Sequence, residues 1–406
     1  MLNSFLALKK ENPSFTYLMK WFIACVFVGI SAGIASAIFL ASLDLVTNIR
    51  EAHVYIIVFL PLAGLLIGLI YHYYGSSVVK GNHLLLEEIH SPKKTLPFIM
   101  VPFIYASTVI THLFGGSAGR EGTAVQMGGS IADQFARFFK FDTRDRKLML
   151  IAGIAGGFSA VFGTPLAGIV FGWEVVSIGK IKNKAILPSI ITAIVADLMC
   201  TFCGIEHTHY HISFVPGLNW QGVLLAIMAG ICFGGVARLF TWSSHQLTDV
   251  FKKVIPYPPL RPFIGGILLV ICIWSLHTTK YSGLGIPTIV DSFHHQLSVY
   301  DFALKLGLTV LTLSAGFKGG EVTPLFFIGA TLGNAMALFV PLPLGLIAGM
   351  GFVAVFAGAS NAPIACIVMS LELFGMEAVG YMTIACIFAS VVCGKNGIYN
   401  FQRKSN

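Results

Sequence analysis

Apolar stretches dominate the chain and short polar segments punctuate them, with charge-free runs over 52–79, 207–237, 262–279, 322–371 and 378–394. A helix of about 20 residues crosses a hydrocarbon layer about 30 Å thick, so each run is fit to enter or cross a bilayer. The run 322–371 is too long for one span and too short for three full ones with turns. It predicts two or three helices, some incomplete. Spans or half-spans are predicted near 21–48, 54–74, 97–114, 124–139, 148–161, 165–179, 185–203, 221–244, 262–277, 300–315, 324–340, 344–357, 363–373 and 377–393. Several of these begin at glycine-rich or proline-containing segments. Non-helical backbone at membrane depth is tolerated only where it lines a cavity or is buried in protein, so such breaks are the default place for a substrate site.

Composition turns this pattern into an exclusion. The 406 residues carry 26 basic and 18 acidic side chains, 11% charged in all, against roughly 25% in soluble globular chains. An ordinary soluble enzyme is excluded. No hydrophilic block is long enough for an attached regulatory domain, so residues 1–406 read as one all-α polytopic transmembrane domain, with the lipid bilayer as its surroundings. The net charge of +8 comes from short clusters between apolar runs: Lys9, Lys10 and Lys20; Arg144, Arg146 and Lys147; Lys180, Lys182 and Lys184; Arg403 and Lys404. That is the pattern of positive-inside loops, and it predicts a cell-membrane protein with both termini cytoplasmic. No basic patch interleaves with aromatics, so no nucleic-acid partner is expected. Residues 1–12 lack an apolar stretch ending in an Ala-x-Ala-like site, and no cleaved signal peptide is expected. Of eight cysteines, Cys200 and Cys203 form a lone C-x-x-C, read as two small core residues rather than a metal or redox pair. No cofactor and no metal are expected.

An internal repeat gives the organisation. Leu150-Ile151-Ala152-Gly153 followed by Pro165-Leu166-Ala167-Gly168 recurs as Leu346-Ile347-Ala348-Gly349 followed by Pro363-Ile364-Ala365-Cys366. A glutamate stands nine residues after each proline, Glu174 and Glu372. Upstream, Gly119-Arg120-Glu121-Gly122-Thr123 aligns with Gly319-Gly320-Glu321-Val322-Thr323. Duplication at half the chain length is the sequence sign of a repeat-built transporter. The repeats are assigned to 20–214 and 215–396, with the break near Val215 to Gln221.

Gly115-Gly116-Ser117-Ala118-Gly119-Arg120-Glu121-Gly122-Thr123 puts an Arg-Glu pair in a glycine-rich loop that opens an apolar helix. Glycines let backbone N–H groups converge and a helix N-terminus adds positive potential, so an anion is the natural guest. Glu121 would occupy such a site when charged and vacate it when protonated; the competing reading is a buried ion pair bracing a turn. No Gly-Lys-Ser/Thr follows, against a phosphate loop. In the second copy Pro324 suits a first helical turn, the amides of Glu321 and Val322 are expected to face the same cavity, and Thr323 is expected to line the site or cap the helix. Asn82 either caps a helix or offers its amide to an anion. Tyr399 supplies a phenol or an interfacial anchor.

These residues resemble the CLC family of anion channels and proton-coupled antiporters, over roughly residues 20–400. The resemblance rests on Gly119-Arg120-Glu121-Gly122, on Pro165-Leu166-Ala167-Gly168 closing on Glu174, on the second glycine-rich helix start and on Tyr399. It implies two inverted repeats with broken and partial helices and a homodimer with one pathway per subunit. It also implies Glu121 as the gating glutamate, with the amides of Glu321 and Val322 and the hydroxyl of Tyr399 around the anion. Three departures from chloride-handling members point within the family. Gly81-Asn82-His83-Leu84-Leu85 stands where they carry Gly-Ser-Gly-Ile-Pro, Thr123 follows the GREG segment in place of proline, and Val175 holds the position of an internal glutamate. Together these resemble the fluoride/proton antiporter branch, in which a Thr occupies the position of Thr323. The expectation is a secondary active transporter that exchanges fluoride for protons and exports fluoride, with Glu121 as gate and Asn82, Gly119, Arg120, Glu321, Val322, Thr323 and Tyr399 around the anion. A chloride channel or chloride/proton antiporter is the alternative.

Fluoride is small and strongly hydrated, so a site that strips its water needs close, strong donors such as an Asn amide or Thr hydroxyl. A membrane hydrolase built on Ser117 lacks a histidine beside it in a span and has Arg120 and Glu121 as neighbours instead. The alternating histidines of Glu206-His207-Thr208-His209-Tyr210-His211 have metal-ligand character but fall in a predicted loop. Glu87 and Glu88 read as partners of loop cations or as part of a proton path, and Glu174 and Glu372 as partners of helix ends or, for Glu174, a proton group.

Overall fold

The computed structural model of the protein describes residues 15–176 and 183–399. Both termini lie outside these residues, as do Lys9, Lys10, Lys180, Lys182, Arg403 and Lys404. A first series of helices runs α1 (Phe15–Ala52), a 3-10 turn (Val54–Phe59), α2 (Leu60–Tyr73), α3 (Asn82–His90), α4 (Met100–Leu113), α5 (Glu121–Phe138), α6 (Thr143–Phe162), α7 (Pro165–Glu174) and α8 (Ile186–Phe202). A second runs α9 (Trp220–Val254), α10 (Leu260–Ser275), α11 (Ile286–Asp291), α12 (Asp301–Ser314), α13 (Val322–Met336), α14 (Leu344–Ser360), α15 (Pro363–Phe374) and α16 (Val379–Cys393). Among the described residues there is no strand, only an isolated bridge between Gly119 and Gly320. Among the described residues four segments are long and apolar enough to cross a membrane, Phe15–Ala52, Val54–Tyr73, Trp220–Val254 and Met376–Cys393. The expected partial helices are present in the shorter ones, such as the 10-residue α7.

Small residues decide which helices touch. A Cβ added to Gly29 of α1 would stand 2.7 Å from Val195 Cβ, and one on Gly33 would stand 2.8 Å from Met199 Cβ. Both positions advance together, so α1 and α8 are parallel. Gly230 and Gly234 of α9 repeat the spacing against Phe388 (3.0 Å) and Val392 (2.8 Å) of α16. Without a hydrophobic gain from leaving lipid, close backbone approach at small residues is what holds such pairs. Inside, α5 packs on α6 and α13 on α14. Every residue of α14 from Leu346 to Ser360 is buried, as its all-round apolar sequence requires.

Equivalent elements of the two series meet head to tail. Glu372 at the end of α15 accepts from the backbone N–H groups of Leu166 and Ala167 at the start of α7, both at 2.8 Å. Glu174 at the end of α7 accepts from Ile364 and Ala365 at the start of α15, at 3.2 and 2.8 Å. Each glutamate caps the other helix, whose first residue is a proline in both cases. The two series are therefore inverted relative to each other. Gly119 and Gly320 exchange two backbone hydrogen bonds, 2.6 and 2.7 Å, about the same pseudo-two-fold relation.

That bridge corrects one detail of the sequence alignment. Arg120 precedes α5 and Glu321 precedes α13, so Gly119 matches Gly320 and Glu121 matches Val322. The alignment of Glu121 with Glu321 is off by one residue, because Gly319 and Gly320 both match a single glycine.

Candidate anion site

Glu121 opens α5, and its side chain is buried to 1% exposure. Its carboxylate is held by donors from both helix starts. Oε2 accepts from the N–H of Arg120 (3.1 Å) and of Thr323 (3.0 Å), and Oε1 from Thr323 Oγ1 (2.5 Å). Arg120 Nε lies 3.6 Å from Oε1 without a hydrogen bond of its own. A negative group thus sits between two helix N-termini, where orphan N–H groups and the helix dipoles favour an anion. The carboxylate stands where a free anion would bind. Thr323 does not cap α13 by its side chain; its hydroxyl is spent on Glu121, which favours the site-lining reading. The Gly119 N–H is committed to the Gly320 carbonyl, so Gly119 shapes the loop and gives no donor in this state.

A second group of side chains converges on Gly122. A Cβ there would stand 3.2 Å from Asn82 Nδ2 and 3.8 Å from Glu321 Oε2. Asn82 Oδ1 and Glu321 Oε2 are buried and without hydrogen-bond partners among the described residues. Asn82 is no helix cap: Gly81 holds that position at φ +55° and ψ −125°, a conformation reserved for glycine, and makes no side-chain cap. Asn82 is the first residue of α3, its amide facing the same glycine as Glu321. Tyr399 is buried, its ring centroid 6.2 Å from that of Phe171, and it lies within electrostatic range of Glu321 and Glu121. The Ile398 N–H donates to the Ala359 carbonyl at 2.8 Å and fixes this last segment against the end of α14.

Several supporting residues were not singled out by sequence. Arg50, His112 and Lys305 are buried bases behind the glycine loop. Arg50 Nη1 donates to the His112 carbonyl (2.8 Å), the ring nitrogens of His112 face the carbonyls of Thr108 (2.8 Å) and Ala118 (3.1 Å), and Lys305 Nζ donates to Tyr281 and Gly283 (3.0 and 2.7 Å). The Gly283 N–H in turn reaches the Gly116 carbonyl at 3.1 Å. Lone basic residues inside or just beyond predicted spans were the available signal. Arg146, grouped with loop cations from sequence, instead binds Asp133 (2.5 and 2.8 Å) and Glu88 (3.1 Å), two buried carboxylates. Glu88 also accepts from the N–H groups of Lys93 and Lys94, so this network anchors α3 and through it Asn82. Glu87 pairs with Lys80 at 3.0 Å and Lys93 at 3.6 Å, and the Lys80 ammonium lowers its pKa. Both glutamates follow the ion-pair reading.

Other sequence candidates separate from the site. Ser117 Oγ lies 2.9 Å from Thr309 Oγ1, a buried structural contact. Among the described residues no three His, Cys, Asp or Glu side chains approach as metal ligands do. His294 and His295 are exposed. Cys200 is buried and Cys203 exposed, both free.

The chain is similar to known proteins over most of its length. Residues 63–394 match the family described as voltage gated chloride channel. A "Chloride/fluoride channel protein" of Pseudomonas syringae pv. tomato is 50% identical over 95% of this chain and 87% of its own length. The crystal structure of a CLC-type fluoride/proton antiporter is 34% identical, covers 97% of this chain and all of its own, and superposes with a TM-score of 0.94. A slow cyanobacterial Cl−/H+ antiporter shares the fold at 20% identity, covering 92% of this chain and 94% of its own, with a TM-score of 0.81.

Proposed function

Because this chain belongs to the voltage gated chloride channel (CLC) family, a family of membrane transporters and channels, we propose that it is an antiporter that exports fluoride in exchange for protons. The observation that carries the reading is the Glu121 carboxylate seated between the starts of α5 and α13, on the amides of Arg120 and Thr323 and the Thr323 hydroxyl. An anion that competes for those donors displaces the carboxylate, and a displaced carboxylate takes a proton. Anion and proton thus alternate at one place, which is the requirement for exchange. Asn82, Glu321, Val322 and Tyr399 form the inner part of the anion path in this proposal, while Gly119 and Arg120 shape its outer part.

Selectivity for fluoride rests on donors that can replace tightly held water. Thr323 supplies a hydroxyl beside two amides, and Asn82 supplies an amide nitrogen facing Gly122. The likeness to the fluoride/proton antiporter structure supports the same assignment. A homodimer with one pathway per subunit belongs to the same proposal. Both termini on the cytoplasmic side belong to the same proposal.

The test is anion efflux from proteoliposomes loaded with fluoride or chloride. Fluoride is expected to leave at least about tenfold faster, a difference of about 1.4 kcal/mol between the two anions, and Asn82→Ser is expected to narrow the gap. Equal rates for the two anions in the wild type contradict the fluoride assignment and favour the chloride alternative.

A further inference from the structure

Two of the charge-free runs, 207–237 and 378–394, end at a cation, Arg238 and Lys395. Helices α9 and α16 carry these runs and lie parallel through Gly230, Gly234 and their partners. Their charged ends therefore reach the same face of the membrane. There the structure holds a surface-open cavity of about 420 Å³, lined by Arg238, Trp242, His245, Gln246, Lys395 and Asn396 among others. Among the described residues no lining residue is acidic. Neither Arg238 nor Lys395 makes an ion pair among the described residues, and both are exposed; the nearby Asp249 is engaged by Lys252 at 3.8 Å.

The depth of the cavity says what it faces. Arg238 is the first charge after the long apolar run, which marks the edge of the hydrocarbon, and Trp242 one turn further is 60% exposed, as aromatic residues at that level are. Leu239, 46% exposed, lies between them and faces outward. An apolar flank, an aromatic at the interface and two uncompensated cations around a cavity of this size match a lipid whose chains lie along α9 and whose headgroup is negative. We propose that this cavity is a binding site for the phosphate headgroup of an anionic phospholipid. The guanidinium of Arg238 takes the phosphate oxygens in a forked pair, Lys395 adds a second positive charge, and Gln246 and Asn396 offer amide donors to a glycerol-type headgroup. None of the lining residues is among those assigned to the Glu121 pathway.

Native mass spectrometry of full-length protein, extracted from vesicles of phosphatidylcholine with one quarter phosphatidylglycerol, tests the proposal. The wild type is expected to retain phosphatidylglycerol at least about fivefold over its share in the vesicles, roughly 1 kcal/mol of preference. Arg238→Gln with Lys395→Gln is expected to lose that enrichment while keeping its phosphatidylcholine adducts and its elution volume, and Arg238→Lys with Lys395→Arg is expected to keep it. Equal retention of the two lipids by wild type, or full enrichment in the double Gln variant, overturns the site. A thermal midpoint raised as much by soluble glycerol phosphate as by phosphatidylglycerol at the same concentration overturns the lipid assignment.

Discussion

One threonine supplies much of the hydrogen bonding that holds the Glu121 carboxylate. Thr323 gives both its N–H and its hydroxyl to Glu121, and a hydrogen bond to a charged group contributes about 1.5–3 kcal/mol. Thr323→Val is therefore expected to slow fluoride-proton exchange by about tenfold to a hundredfold, while Thr323→Ser keeps most of the rate; equal rates for the Val and Ser variants in a flux assay contradict the role of the hydroxyl. The sequence identified Thr323 as a candidate but left open whether it caps a helix, because both roles need only a hydroxyl near a helix start. Which carboxylate it faces depends on a partner 202 positions away, and single-sequence spacing does not carry that. Arg146 shows the opposite failure. Its neighbours Arg144 and Lys147 made it look like one more loop cation, whereas folding brings it onto the buried Asp133 and Glu88.

At the level of elements, the strongest sequence signal was the pair of prolines with a glutamate nine residues on, and the structure gives its reason. Glu174 and Glu372 cap each other's helices across the pseudo-two-fold, so a duplicated motif became a reciprocal contact. Losing an N-terminal cap costs about 1–2 kcal/mol; Glu372→Ala and Glu174→Ala are each expected to lower the thermal midpoint in detergent, with the Gln variants in between. Glu174→Gln is also expected to leave the proton-to-fluoride ratio of transport unchanged. A changed ratio contradicts the capping role and restores the proton-path reading. Long apolar helices were legible from hydropathy, since burial or lipid demands their composition. Helix α3 was harder to place because its sequence, Asn82-His83-Leu84-Leu85-Leu86-Glu87-Glu88-Ile89-His90, mixes charge with leucine. What holds it is the ion-pair network beneath and the glycine at its start. The one-residue shift between Glu121 and Glu321 has a similar cause, since two adjacent glycines offer alignments of equal merit until the backbone bridge selects one.

The whole molecule is two inverted halves closed around a carboxylate, with residues 203–219 linking α8 to α9. In that link His207 packs against Gly163, where a Cβ would stand 2.5 Å from its ring. Burial, then the guanidinium of Arg120, pushes its pKa down to about 4. In the unfolded chain a histidine titrates near pH 6.5. Between those values the unfolded state takes up a proton that the folded state refuses, so the stability present above about pH 6.5 is lost as pH falls toward 4. The thermal midpoint of the wild type is expected to drop across that window, and His207→Gln is expected to flatten the drop; an unchanged slope in the variant contradicts the assignment. Charge scarcity across 406 residues gives the few buried carboxylates their weight, and Glu121 takes hydrogen bonds at both helix starts. The decisive measurement is proton movement driven by a fluoride gradient in proteoliposomes, recorded for wild type and Glu121→Gln. The wild type is expected to move protons uphill, and Glu121→Gln to show no proton movement above that of empty vesicles; fluoride-driven proton movement that persists in Glu121→Gln contradicts Glu121 as the group that couples the two ions.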